Sequence, residues 1–398
     1  MAGREWVRIS GVAALCALFV ALVGCGGQPA TDTGRAEVQR LLDRRADALL
    51  ERDPAAYRAT GSTAGYDRLR EVPLAAWSYR VTDLDLTGDA TATAAAELSY
   101  RLQDHDRAPV TTGRTLALAR DADGGWQVTS DRPAPRSAQQ LWDQGRVVAA
   151  RGDHSLVLGV GRTEESLRDF AALADRAVPA VSDAWGTGWG QRVLVLVPDS
   201  LEEMAGLLGS PASSYRGIAA VTTGEVGGAA DGPADRIILN PEAYGLLGPT
   251  GKQVVLTHES THVATRAHTG PATPLWLSEG YADWAGYRDT GRAPAEAAPE
   301  LARAVAAGDV PQELPADGDF GFTDDPTALS QAYESGWMAC RLIAEQWGEE
   351  RLGAFYRAVG AHGQRDGAVE SALEKVLGTS EEAFTRAWRE YLGEQLTG

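Results

Sequence analysis

Apolar residues recur at helical spacing over Val38, Leu41, Leu42, Ala46, Leu49 and Leu50, with charges on the other face, which predicts an amphipathic helix. Asp53-Pro54 then opens a second short helix. From Trp77 the period becomes two, through Trp77, Tyr79 and Val81, then Ala94 to Leu102, Thr115 to Arg120 and Gln127 to Thr129. Asp121-Ala122-Asp123-Gly124-Gly125 between the last two predicts a hairpin turn. Pro133-Ala134-Pro135 reads as a linker, since proline disfavours helix in the residue before it.

Beyond the linker the pattern is mixed. Ser155–Val160 and Val193–Pro198 are apolar runs suited to buried strands, with a helix from about Thr163 to Ala184 between them. Gly217–Val221 and Arg236–Asn240 follow as further strands, separated by a glycine-rich loop from Gly224 to Gly232. After Pro249 the chain is helical to its end, where Thr379 with Glu382 forms a capping box before the apolar stripe Phe384, Trp388, Tyr391 and Leu392. The expected class is α+β: helices and an antiparallel sheet first, then a mixed-sheet lobe and a mostly helical lobe.

Composition narrows the function. The chain has 398 residues, 44% of them hydrophobic, enough for about two domains with large cores. A formal net charge of −18 repels phosphate and excludes nucleic acid as a partner.

At the N-terminus, Arg4 and Arg8 precede an apolar stretch, Val12 to Val23, that is too short to span a bilayer and has the layout of an export signal. Its end, Leu22-Val23-Gly24-Cys25, resembles the lipobox of bacterial lipoproteins. That resemblance implies removal of residues 1–24, acylation of Cys25, a tether over 25–34 and a chain held by lipid on the extracytoplasmic face of the cell membrane. Cys16 leaves with the signal and Cys25 is acylated, so Cys340 stands alone without a disulfide partner. Its apolar helical context makes it a small buried hydrophobe.

The chemistry centres on His258-Glu259-Ser260-Thr261-His262. Two histidines four apart on a helix lie one turn above the other and can reach one Zn²⁺ ion. The glutamate between them is placed to deprotonate a water beside that ion. Among only six histidines such a run is uncommon by chance. Pro274 opens the next helix, Leu275-Trp276-Leu277-Ser278-Glu279-Gly280-Tyr281-Ala282-Asp283-Trp284.

With that second helix the chain resembles the gluzincins, the thermolysin-related zinc peptidases of the peptidase MA-like fold, over roughly residues 150–395 of a domain expected to span 136–398. The resemblance implies metal ligands His258, His262 and Glu279, general base Glu259, and Asp283 holding the second ring nitrogen of a ligand histidine. It also implies hydrolysis of a peptide or protein substrate, with Ile237–Asn240 in the place of the edge strand that holds an extended peptide. The G-x-M-E-N segment of the family's aminopeptidases is missing, which favours an endopeptidase. His268 falls where the metzincin pattern has its third histidine. However, Thr265 stands where that pattern needs a glycine to break the helix, so Glu279 is preferred and His268 is read as a surface residue near a helix end, where a cation is favoured.

Tyr333 is a candidate donor to a developing oxyanion; alternatively Tyr333, Trp337 and Cys340 form a core stripe at i, i+4 and i+7. Residues 35–132, helices followed by antiparallel strands closing on Gly-Gly-Trp-Gln-Val, resemble the NTF2-like fold, a curved sheet wrapped over helices. A different class also fits: a non-catalytic cell-envelope binding or assembly protein that retains a zincin fold.

Overall fold

Helix α1 runs from Gln28 to Leu50 across an antiparallel four-stranded sheet of β1 (Leu74–Leu86), β2 (Thr91–Leu102), β3 (Val110–Arg120) and β4 (Trp126–Pro133), in that order. The computed structural model describes residues 28–224, 232–321 and 326–397. The export signal, Cys25 and most of the Gly224–Gly232 loop therefore lie outside the described residues. The segment expected as a tether up to Gly34 is helical from Gln28. Its next turn is anchored: Arg35 Nη2 donates to Val81 O at 2.6 Å, and the Gln39 amide donates to Tyr79 O and accepts from Val81 N at 2.7 and 2.8 Å. Gln39 thus supplies hydrogen bonds that edge strand β1 lacks on its open side.

The alternation in β2 leaves every second residue buried, against Val38, Leu41, Leu42 and Leu49 of α1. Helices α2 (Pro54–Arg58), capped by Asp53, and α3 (Ala64–Leu69) complete this module, and the 121–125 turn closes as the sequence predicts. Pro133-Ala134-Pro135 departs from its reading as a linker. Pro133 still pairs with Arg114, and Ala134 N donates to Gly113 O at 2.9 Å. Just beyond, Asp143 of α4 (Leu141–Gln144) chelates the buried Arg114 guanidinium, which also bonds Asp131 at 2.7 Å. This pairing of one cation with two carboxylates ties the segment to the sheet.

The second sheet has the order β5-β6-β7-β9-β8. Strands β6 (Ser155–Val160), β7 (Val193–Val197) and β9 (Arg236–Leu239) are parallel, while β5 (Val147–Arg151), which the sequence pattern did not reveal, and β8 (Ala220–Thr222) run antiparallel at the two edges. Helix α5 (Glu164–Trp185) covers one face through Leu167, Ala171 and Val178. The other face is covered by the first module: Leu156, Leu158, Val160 and Leu194 share one core with Trp77, Leu98 and Trp142. All six residues of β6 are buried for this reason, which is the pattern of a strand covered on both faces.

After α6 (Leu201–Leu208) and α7 (Pro241–Gly245), the rest is helical: α8 (Pro249–Thr265), α9 (Leu275–Tyr287), α10 (Pro294–Ala297), α11 (Pro299–Ala306), α12 (Pro326–Trp347), α13 (Glu349–Gly360), α14 (Ala368–Ala372) and α15 (Glu381–Leu396). The cap of α15 is Ser380 rather than Thr379, with its hydroxyl accepting from Ala383 N at 3.2 Å, while Phe384, Trp388, Tyr391 and Leu392 are buried as expected. Among the described residues no helix is long and apolar enough to cross a membrane.

Helices α9 and α12 meet backbone to backbone. A Cβ on Gly280 would lie 2.2 Å from Gly336 O, and one on Gly336 would lie 2.6 Å from Trp276 O. These two glycines permit an approach that any side chain would prevent. They bring Tyr333 of α12 toward the carboxylates of α9.

Candidate metal centre and active site

Helix α8 carries His258, Glu259 and His262, and α9 packs across it carrying Glu279 and Asp283. The helix ends at Thr265 and continues only as a 3₁₀ turn over Arg266–His268. His258 Nε2 and His262 Nε2 lie 3.0 Å apart, and Glu279 Oε2 is 3.3 and 3.4 Å from them. Three ligands held about 2.0–2.1 Å from one tetrahedral centre stand roughly 3.3–3.5 Å from each other; the two edges to Glu279 have that length and the edge between the imidazoles is slightly shorter.

The protonation pattern agrees. His258 Nδ1 is 2.8 Å from Asp283 Oδ1. A carboxylate only accepts, so Nδ1 carries a proton, and a metal ion at the triangle would take the Nε2 lone pair in place of the ring's second proton. Burial disfavours the charged ring of His258, yet the carboxylates of Asp283, Glu279 and Glu259 outweigh it and hold the imidazole well above its usual pKa range. Burial acts on Glu279 in the opposite sense, raising its pKa, and His262 and His258 overcome it, keeping the carboxyl far below the ordinary range. Three carboxylates face two imidazoles here, a surplus of negative charge that a divalent cation would balance. Among the described residues this His-His-Glu set is the one group of side chains able to converge on a metal ion.

The ligands remain accessible, with 14%, 19% and 16% of the side chains of His258, His262 and Glu279 exposed. Glu259 is more enclosed, and its Oε2 accepts a 2.6 Å hydrogen bond from the Thr222 hydroxyl. Thr222 belongs to edge strand β8, whose bearing on the site was not legible from sequence because the contact spans 37 positions. It corrects the expected topology. β9, the Ile237–Leu239 strand expected at the edge, lies inside the sheet between β7 and β8, so β8 is the open edge beside the site. The chain folds Ala220–Thr222 back against Ile237–Leu239, and this added pairing moves β9 inward. Asn240 caps α7, accepting from Glu242 N and Ala243 N at 3.1 and 3.3 Å.

Arg266, one turn beyond His262, donates through Nε to Asp235 Oδ2 at 3.0 Å and through Nη2 to Thr223 O at 3.4 Å, binding the end of α8 to the β8–β9 pair. Gly224 is required at this joint: its φ is +144°, and a Cβ would meet Asp235 Oδ1 at 2.0 Å.

The remaining candidates separate cleanly. His268 lies outside the triangle, exposed and edge-on to Trp185 with ring centroids 5.5 Å apart. The expectation that it favours a cation is not met. Partial burial and the neighbouring Arg357 both lower its pKa. Cys340 is fully buried, its thiol pushed up by burial and by Asp283. Trp337 and Cys340 do belong to the core, but Tyr333 leaves that stripe: its ring meets Phe320 at 5.1 Å, and its hydroxyl is raised by burial and by the charges of Glu279, Asp283 and Glu259. Tyr333 therefore feels the negative charge of the same carboxylates that surround the histidines.

No protein-family model matches the chain, and no curated protein matches it. Among solved structures it is similar to an M1 zinc metallopeptidase from Deinococcus radiodurans, at 12% identity and a TM-score of 0.35 over 76% of this chain and 90% of that one. A mutant of that enzyme bound to a Tyr-Ser-Ala substrate gives 12% identity and a TM-score of 0.36 over 77% and 91%. Likenesses of that size carry no weight for function.

Proposed function

We propose that this protein is a zinc-dependent metallopeptidase, an endopeptidase held by lipid on the extracytoplasmic face of the cell membrane. The observation that carries the activity is the triangle of His258 Nε2, His262 Nε2 and Glu279 Oε2, with edges of 3.0, 3.3 and 3.4 Å, beside the carboxylate of Glu259. A zinc ion bound there supplies a Lewis acid that polarises a carbonyl and lowers the pKa of water from about 15.7 toward 7.

The chain's own residues do the rest. Glu259 accepts the proton of the attacking water and passes it to the leaving amine. Thr222 bonds one carboxylate oxygen of Glu259 and leaves the other for that proton. Asp283 fixes the His258 tautomer and the orientation of its ring. Tyr333, kept protonated by burial and by the nearby negative charges, donates to the oxyanion that develops on the substrate carbonyl. Strand β8, open at the sheet edge beside Glu259, offers its backbone to an extended substrate. The module over residues 35–132 is read as NTF2-like, on its order of helices followed by an antiparallel meander.

The test is digestion of an unstructured polypeptide by the purified chain. Internal cleavage that stops with a chelator and returns with zinc supports the assignment. Stoichiometric zinc with no cleavage makes this a binding protein instead, and release of single N-terminal residues makes it an aminopeptidase. The location rests on the lipobox-like Leu22–Cys25, and fractionation checks it: the wild-type chain is expected with membranes and Cys25→Ala in the soluble fraction. Equal partitioning of the two would remove the anchor from the proposal.

A further inference from the structure

The connection between β2 and β3, residues 103–109, leaves the first module and reaches the second sheet beside the active site. At its centre the side chain of Asp106 is fully buried and accepts four hydrogen bonds. Oδ1 receives Ala234 N at 3.0 Å and Arg236 Nη1 at 2.7 Å; Oδ2 receives Leu102 N at 2.8 Å and Arg236 Nη2 at 3.0 Å. A bidentate, buried pair of this kind fixes direction as well as distance.

Arg236 is the first residue of β9, and its backbone holds the neighbouring strand. Thr223 N donates to Arg236 O at 2.8 Å, and Arg236 N donates to Thr223 Oγ1 at 3.0 Å. The preceding residue, Thr222, bonds Glu259 at 2.6 Å. Strand β8 is only three residues long and lies at the sheet edge, held by its pairing with β9, by Arg266 at Thr223 O and by this joint. Four consecutive links therefore run from one module to the base of the other: Asp106, Arg236, Thr223 with Thr222, then Glu259.

We propose that the first module positions the catalytic base, with Asp106 and Thr222 as positioning residues acting through Arg236 and the β8–β9 pair. This rests on the hydrolase assignment above. On this view the module is part of the active-site frame, and its removal would leave the base without a fixed orientation. A displacement of the base of the order of an ångström costs roughly 100-fold in rate, which sets the scale expected.

The test uses the full chain and two independent readouts. Amide hydrogen exchange over residues 220–223 and 236–239 is expected to speed up at least tenfold in Asp106→Ala, while β6 and β7 keep their protection. In the same variant kcat should fall roughly 10- to 100-fold with zinc content little changed, and KM should rise because β8 also holds the substrate backbone. Thr222→Val should fall by a similar factor, Thr222→Ser should recover most of the loss, and Asp106→Ala with Thr222→Val should be no worse than Thr222→Val alone, as expected of one pathway. If Asp106→Ala does not fold, Asp106→Asn keeps the side-chain volume and replaces the charge, and the same comparisons apply to it. Unchanged exchange at β8, or multiplicative losses in the double variant, would overturn the proposal. Should the zinc-loaded wild type cleave nothing, the hydrolase assignment falls, and the exchange comparison alone then decides whether Asp106 holds the strand beside Glu259.

Discussion

Glu259→Gln is expected to lose peptide hydrolysis by roughly 10²- to 10⁴-fold while keeping its zinc. The amide matches the carboxylate in size and can still accept the Thr222 hydroxyl, so the 2.6 Å contact to β8 survives and the helix is undisturbed. What disappears is basicity, because a neutral amide cannot take a proton from water near pH 7. Zinc content should not change, since Glu259 is not among the three atoms of the triangle. Two measurements decide the matter together: turnover of an unstructured peptide, and metal per chain. Turnover within a few-fold of wild type would remove Glu259 from the mechanism. Loss of zinc would place its carboxylate among the ligands. Tyr333→Phe serves as the contrasting arm, because it removes a single donor to the oxyanion and should cost roughly 100-fold in kcat with zinc retained.

Glu279→Ala is expected to strip the metal. It leaves two imidazole nitrogens 3.0 Å apart with no third ligand at the apex, and it removes the one carboxylate of α9 that points into the triangle. The His258–Asp283 bond persists, so the fold should remain and the effect should appear in metal affinity. After dialysis the wild type should hold about one zinc per chain and the variant little or none. Thermal unfolding gives a second reading. Zinc at about 100 times its Kd stabilises a folded protein by about 2.7 kcal/mol, so wild type should gain several degrees on zinc addition and the variant almost none. Unchanged zinc binding in Glu279→Ala would mean that a different side chain completes the site. It would undo the assignment of the centre.

Cleavage and metal affinity are thus expected to separate by residue. Substituting the base on α8 affects turnover alone, and substituting the carboxylate on α9 affects the metal first. Both effects depend on the placement of α9, which packs closely on α12 at Gly280 and Gly336. Bulk at either glycine would push α9 from α12 and move Tyr333 relative to Glu279, so neither position tolerates a side chain without rearrangement.

Local spacing by itself determined much of this protein. Histidines four apart must share a helical face, so His258 and His262 converge wherever their helix is placed. The resemblance of the next helix pointed to Glu279 and Asp283, whose carboxylates lie 3.3 Å from His258 Nε2 and 2.8 Å from His258 Nδ1. The 3.6-residue period likewise predicted α1 and α5, and continuous apolar runs predicted β6 and β7, because burial on one or two faces imprints itself directly on the sequence. Strand β5 was not legible because Val147–Arg151 is short and mixed, and only its pairing with β6 makes it a strand. Only the tertiary structure decided which strand is the edge, that Thr222 steadies Glu259, that Arg266 ties α8 to Asp235, and that Asp106 of the first module reaches β9. Those contacts join residues 31 to 130 positions apart, with no periodicity between them to reveal the pairing. The residues of the candidate centre were legible in two neighbouring helices, whereas the frame around them depends on long-range closure of the chain.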